Sequence, residues 1–249
     1  VALLKLCAEY SLPHTVLGAG FNTLVLDGGI EGVVIRTSAI RRLSREPEGI
    51  QAETGVSHNS LTKYCIENGL AGLEFGAGIP GTVGGWVAMN AGIGEREAKD
   101  VVREVSWVEP GGNLRRAARD ELRFRYRSLE GLAPGSIILS VGLAVTSSEA
   151  GLVKAEVDRM LARRRDTQPL DVPSCGSVFK NPEGDFAGRL IEAAGLKGAR
   201  EGSAEVSEKH ANFIANRGKA TAANVLALIA RIQETVLRET GIQLEPEVK

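Results

Sequence analysis

Cysteine is scarce in this chain of 249 residues, with only Cys7, Cys65 and Cys175. Their odd number, and the absence of Cys-x-x-Cys or metal-ligand spacing, exclude a disulfide framework and a structural zinc site, leaving reduced thiols and no metal. Neither sign of charge is in excess: Lys and Arg number 30 against 31 Asp and Glu, a formal net charge of -1. Without a bulk positive field, no nucleic acid or anionic membrane is expected as a partner, and an anionic ligand must be gripped by local groups. Long apolar runs are missing too. None approaches the roughly 20 residues of a membrane span, and no basic-then-apolar leader is visible, so no membrane insertion is expected and the cytoplasm is the expected location. The 43% of apolar residues suffices for a core in one large domain or two medium ones and argues against disorder.

Glycine, by contrast, is abundant at 30 residues. Its clusters at 18–32, 69–94 and 176–202 mark loops that must approach something closely. Branched residues interrupted by glycine predict short strands at 15–17, 24–26 and 32–35. Ser57 caps a predicted helix in which Leu61, Tyr64 and Cys65 recur at helical spacing until Gly69. Strands at 101–108 and 137–145 complete a mixed first part in which strands outnumber helices. From about Glu149 the pattern changes. Val153, Val157, Met160 and Leu161 predict one amphipathic helix, and Leu190, Ile191 and Ala194 a shorter one closed by Gly195. Val225, Leu228, Ile229, Ile232 and Val236 predict a long helix from near Thr221 to Gly241. Strands at 177–179 and 213–215 lie between these helices. An α+β fold divided near residue 148, without internal repeats, is expected.

Two glycine loops carry candidate chemistry. Gly18-Ala19-Gly20-Phe21-Asn22 follows one predicted strand and precedes another, so it is not the strand-to-helix turn of a Rossmann fingerprint. Its spacing lets successive N–H groups face one concavity suited to a pyrophosphate, with Asn22 locking the turn through its amide; an ordinary glycine turn is the alternative. Gly76-Ala77-Gly78-Ile79-Pro80-Gly81-Thr82-Val83-Gly84-Gly85 builds a backbone surface that admits a flat ring or phosphates. The segment Trp86 to Gly92 after it adds an apolar wall and the Asn90 amide. Close helix-to-strand packing is the plainer use of those glycines. Among the arginines of 115–127, most form a solvated face. Arg127 differs, because the alternation of Phe124, Arg125 and Tyr126 sets it on a strand or turn facing inward. Ser177 and Lys180 fall in Cys175-Gly176-Ser177-Val178-Phe179-Lys180-Asn181-Pro182, and Glu247 in Leu244-Glu245-Pro246-Glu247-Val248.

These segments, together with Met89-Asn90-Ala91-Gly92, Tyr126-Arg127-Ser128 and Ala187-Gly188-Arg189-Leu190-Ile191, occur in the order of one family. The chain resembles the UDP-N-acetylenolpyruvoylglucosamine reductases, flavoenzymes of bacterial cell-wall precursor synthesis, over nearly its whole length. The resemblance implies an α+β fold: a vanillyl-alcohol oxidase type FAD-binding domain of two subdomains, then an α+β substrate domain, here 1–147 and 148–249. It implies FAD on Gly18, Ala19, Gly20, Phe21, Asn22, Gly78, Ile79, Pro80, Gly81, Thr82, Gly84, Gly85, Asn90, Ala91 and Gly92, with NADPH as reductant. Hydride then passes from NADPH through FAD to the enolpyruvyl ether of a UDP-sugar. By the same resemblance Arg127, Ser177 and Glu247 are catalytic, Ser177 giving the proton and the other two stabilising the enolate. Tyr126, Lys180, Asn181 and His210 contact the substrate; separately, a monomer is expected.

The short connection after Val145 resembles the family's second subtype, which lacks a substrate-covering loop, and Gln168 stands where some relatives carry lysine. Relative to the family the chain starts late and stops two residues after Glu247, so a partial chain with weakened FAD retention is expected. Two rivals stay open: a flavin-free sugar-nucleotide binding module, and a flavin oxidase, although His14, His58 and Cys65 stand in no recognisable flavin-attachment motif.

Overall fold

The apolar strand Ile137–Leu143 lies at the middle of a five-stranded antiparallel sheet in the computed structural model, which describes residues 1–249. The strand order is Leu43–Glu46, Gly49–Glu53, Ile137–Leu143, Val102–Val108, Leu114–Ala118. Alternation puts Ile50, Ala52, Val105 and Val141 at 0% exposure. The helices His58–Glu67 and Val83–Ala88 add Leu61, Cys65, Val83, Trp86 and Val87 to the same core. Ser57 starts the first of them as expected, its hydroxyl accepting the Ser60 N–H at 3.1 Å. A separate parallel pair, His14–Leu17 with Val33–Arg36, delivers the chain into the first glycine loop.

That sheet belongs to the larger of two compact units, made of Val1–Gly20 and Glu31–Ala162; the other is made of Phe21–Ile30 and Arg163–Lys249. The expected division at 148 lies just before the helix Ala150–Thr167, whereas the units divide inside that helix, and Phe21–Ile30 clusters with the carboxyl-terminal part. The strand expected at 24–26 is absent for the same reason. Leu24 N–H donates to the Lys249 carbonyl at 2.7 Å, and the Asp27 carboxylate accepts the N–H groups of Ala222 and Ala223 at the start of a helix. Val25 and Leu26 face solvent instead of a core.

The second unit pairs four strands in the order Ser174–Ser177, Phe213–Asn216, Ala204–Val206, Arg200–Glu201, all antiparallel. The helices Ala187–Ala193 and Ala222–Thr240 share its core. The longer helix follows its sequence signals. Thr221 and Asn224 form a reciprocal cap, and Gly241 takes the left-handed conformation (φ 73°) that closes the last turn. Its stripe of Leu228, Ile229, Ile232 and Val236 is buried, each side chain contributing about 1.5–3 kcal/mol by leaving water. The strand expected at 177–179 is displaced: pairing ends at Ser177, and Phe179 instead bridges Pro246 of the tail.

Candidate active site

The first unit contains Gly18, Ala19, Gly20, the 78–92 segment, Tyr126 and Arg127; the second contains Phe21, Asn22, Ser177, Lys180, Asn181, His210 and Glu247. In the first unit the two glycine loops meet. A Cβ on Gly18 would lie 2.7 Å from Thr82 Oγ1, so only glycine permits that approach. Gly20, Gly78 and Gly81 take positive φ, 79°, 75° and 116°, a conformation with a steric penalty for any other residue. Thr82 is 5% exposed, and its Oγ1 has no hydrogen-bonding partner within the protein. A buried hydroxyl in that condition has its bonding capacity open to water or to an acceptor on a bound group. Gly18 and Thr82 thus form a cradle that fits a diphosphate-bearing group such as FAD.

The later glycines are used differently. Gly84 and Gly85 lie in the helix Val83–Ala88, and a Cβ on Gly84 would come within 1.9 Å of Thr54 Oγ1. Gly84 therefore serves close packing of helix against sheet, the plainer of the two uses. Asn90 is fully buried at φ 41°. Its Oδ1 accepts the Lys99 N–H at 2.9 Å, and its Nδ2 donates to Glu97 Oε2 and to the Arg125 carbonyl, both at 2.9 Å. The carboxamide expected beside a flavin edge is thus committed within the unit. Gly92 opens a tight hairpin, Gly92–Ile93 against Arg96–Glu97, turned by Gly94 at φ 65°.

Arg127 occupies the two-residue turn between the strands Arg123–Arg125 and Ser128–Glu130. The inward-facing arginine expected on a strand or turn is found on the turn. Its φ is 58° and its side chain is 17% exposed. A left-handed non-glycine residue costs of order 1–3 kcal/mol and persists only where surrounding contacts enforce it. Here the guanidinium stacks 4.6 Å from the Tyr126 ring centroid and pairs with Glu97 Oε1 at 3.5 Å. No local pattern in the sequence singles out Glu97.

In the second unit Gly176 (φ 78°) produces a register shift between Ser174 and Ser177, which re-aims the strand end. The tail then runs beside the residues after Ser177. Lys180 N–H donates to the Glu245 carbonyl at 2.9 Å, and Glu247 N–H to the Val178 carbonyl at 2.7 Å. On the tail's other side, Asn22 Nδ2 reaches the Glu247 carbonyl at 3.1 Å and Lys249 N–H the Asn22 carbonyl at 3.1 Å. Asn212, which sequence reading missed, clamps this segment: its Oδ1 accepts the Phe179 N–H at 2.9 Å and its Nδ2 donates to the Phe179 carbonyl at 2.8 Å. Lys180 pairs with Glu245, and Asn181 Oδ1 accepts the Ala187 N–H at 3.1 Å. His210 packs edge-on to Phe213 at 4.8 Å, its Nδ1 accepting the Asn212 N–H. Burial holds its pKa below the usual histidine range. Burial also raises the Cys175 thiol and pushes Cys65 up to about 12, which keeps both protonated.

Residues 168–249 match the family model for the C-terminal domain of UDP-N-acetylenolpyruvoylglucosamine reductase, and residues 1–118 match an FAD binding domain. The UDP-N-acetylenolpyruvoylglucosamine reductase of Clostridium perfringens is 41% identical over 249 residues, all of this chain and 82% of that protein. The one from Alkalilimnicola ehrlichii is 49% identical over 232 residues, 93% of this chain and 78% of that one. The crystal structure of the reductase from Thermus caldophilus superposes with a TM-score of 0.85 at 35% identity, covering 98% of this chain and 87% of that chain.

Proposed function

Since this chain belongs to the UDP-N-acetylenolpyruvoylglucosamine reductase family and is an FAD-containing oxidoreductase, we infer that it reduces the enolpyruvyl ether of UDP-N-acetylglucosamine enolpyruvate to UDP-N-acetylmuramate. This step serves peptidoglycan precursor synthesis, and through it cell-wall biogenesis, cell shape and division. Bound FAD supplies the hydride relay between NADPH and the vinyl carbon; the Gly18–Thr82 cradle holds its diphosphate. The first domain carries the cofactor and contributes Tyr126 to the UDP-sugar, which the second domain binds through Lys180, Asn181 and His210.

The rest of the chemistry falls to three side chains. As hydride joins the terminal carbon, the C=C π bond breaks and negative charge spreads over the adjacent carbon and its carboxylate. The Arg127 guanidinium stabilises that charge, and a preorganised donor of this kind is worth about 3–4 kcal/mol. Glu247, as the acid or through a bridging water, assists. Ser177 delivers its proton to the charged carbon from about 3 Å, and neighbouring groups return a proton to its alkoxide. A serine is a weak acid in water, and the strongly basic carbon is what makes the transfer favourable. Support comes from the hydrogen bond joining Glu247 to Val178, which keeps a carboxyl-bearing segment beside the residue that follows the proposed proton donor.

Anaerobic half-reactions test this reading. NADPH should reduce the flavin, and the UDP-enolpyruvyl sugar should reoxidise it. Ser177→Ala should leave the first step within about twofold and slow the second by about 10²–10⁴-fold; equal slowing of both would overturn the proton-donor role. Thr82→Val should weaken FAD binding about fivefold, the loss of one hydrogen bond of about 1 kcal/mol, without lowering apoprotein stability. Unchanged FAD affinity would remove Thr82 from the cofactor site. No helix is long and apolar enough to cross a membrane. The proposed compartment is the cytoplasm, where NADPH and UDP-sugars are found, and the proposed working form is a monomer, which sedimentation would check.

A further inference from the structure

The carboxylate of Glu97 is divided between two tasks. Its Oε2 takes Lys99 Nζ at 2.7 Å and Asn90 Nδ2 at 2.9 Å, while its Oε1 faces Arg127 Nη1 at 3.5 Å. Glu97 is 14% exposed at its side chain and Arg127 17%, so water screens the pair only partly. The carboxylate itself is held. It closes the Gly92–Ile93/Arg96–Glu97 hairpin, and its own N–H donates to the Asp100 carboxylate at 2.8 Å. Asn90 then ties this hairpin to the one carrying Arg127, binding Glu97 and the Arg125 carbonyl with the same amide nitrogen.

We propose that Glu97 is the positioning residue for Arg127: it orients the guanidinium and itself touches no substrate. This rests on the reading of Arg127 as the group that stabilises the enolate. Charge balance makes the arrangement workable. A lone carboxylate against Arg127 would cancel the positive charge offered to the reaction. Lys99 on the opposite oxygen shares the carboxylate with Arg127, so the guanidinium charge is only partly cancelled. Orientation by Glu97 and stacking on Tyr126 restrict the guanidinium in two ways, while the left-handed turn fixes where its side chain starts. Misplacing a catalytic group by about 1 Å costs up to 10²-fold in rate, so the carboxylate should matter at a distance from the reacting atoms.

The test uses the FAD-loaded enzyme under anaerobic conditions. Glu97→Gln should slow reoxidation by the UDP-enolpyruvyl sugar by about 10–100-fold, with flavin reduction by NADPH within about twofold, and Glu97→Asp should recover part of the loss. The side-chain Nε–H resonance of Arg127, observed by NMR, should broaden or exchange faster in Glu97→Gln. The losses of Glu97→Gln and Arg127→Lys should not multiply when combined, because both act through one group. Multiplying losses, or an unchanged reoxidation rate in Glu97→Gln, would overturn the proposal. If Arg127→Lys alone leaves reoxidation unchanged, the enolate-stabilising reading of Arg127 fails instead, and this inference falls with it. Should Glu97→Gln not retain flavin, Lys99→Met carries the test: the uncompensated Glu97 then neutralises Arg127, and reoxidation should slow several-fold with flavin reduction unaffected. No slowing there would count against the proposal.

Discussion

The turn that presents Arg127 and the tail that carries Glu247 are held by different means. Arg127 sits at φ 58° on a two-residue turn and is restrained by side chains: the Glu97 carboxylate, the Tyr126 ring and, through Arg125, the Asn90 amide. Glu247 and the residues after Ser177 are held mainly through backbone groups, by the bonds between Val178 and Glu247, Lys180 and Glu245, and Lys249 and Asn22. Main-chain pairing survives truncation of the side chains that it carries. A side-chain network loses its geometry when one member is shortened. The first region should therefore show large functional losses with small stability changes, and the second should show the two together wherever a side-chain clamp such as Asn212 is removed.

Three experiments would sharpen or break that contrast. The largest effect is expected from Arg127→Gly, which removes the cation but relieves the left-handed strain. Reoxidation by the enolpyruvyl substrate should fall by at least about 10²-fold, while the unfolding free energy moves by no more than about 1 kcal/mol, strain relief offsetting the lost pair. A fall of several kcal/mol would mean that the turn depends on Arg127 for folding. Asn212→Ala comes next. It leaves the Phe179 N–H and carbonyl without their partner in a buried setting, and should cost about 2–4 kcal/mol in chemical denaturation with a parallel loss of turnover. Turnover lost at unchanged stability would show that Asn212 acts in the reaction and not as a clamp.

The smallest effect concerns His210. Burial depresses its folded-state pKa below 6.5, so it is neutral in both states above that pH and contributes no pH dependence there. As pH falls below about 6.5 the unfolded chain takes up the proton first, and stability declines until the folded-state pKa is passed. His210→Gln should flatten the stability profile in that window. An unchanged profile would assign the acid sensitivity to another group.

Much of this molecule was legible in sequence. Thr221, the apolar stripe to Val236 and Gly241 predicted the last helix because caps and 3.6-residue periodicity are local signals. Ser57 did the same for the helix His58–Glu67. The strand expected at 24–26 failed because its branched residues matched strand propensity, while their environment depended on Asp27 and Leu24 bonding to groups far along the chain. Gly84 read as part of a ligand surface and turned out to meet Thr54, since a glycine needed for packing and one needed for a ligand look alike in one dimension. Glu97 and Asn212 gave no signal at all; each is an ordinary polar residue until the fold brings it to its partner.

By itself, then, the sequence determined the helices, the turns that demand glycine, the ordered motifs that identify the family and the chemical types available to a site. The tertiary structure alone decided that Glu97 faces Arg127, that Asn212 grips Phe179 and that the tail pairs with the segment after Ser177. Capping, periodicity and positive φ act between residues a few positions apart and leave a pattern in the chain. An ion pair or an amide clamp acts through space between segments whose separation along the chain carries no information about their distance.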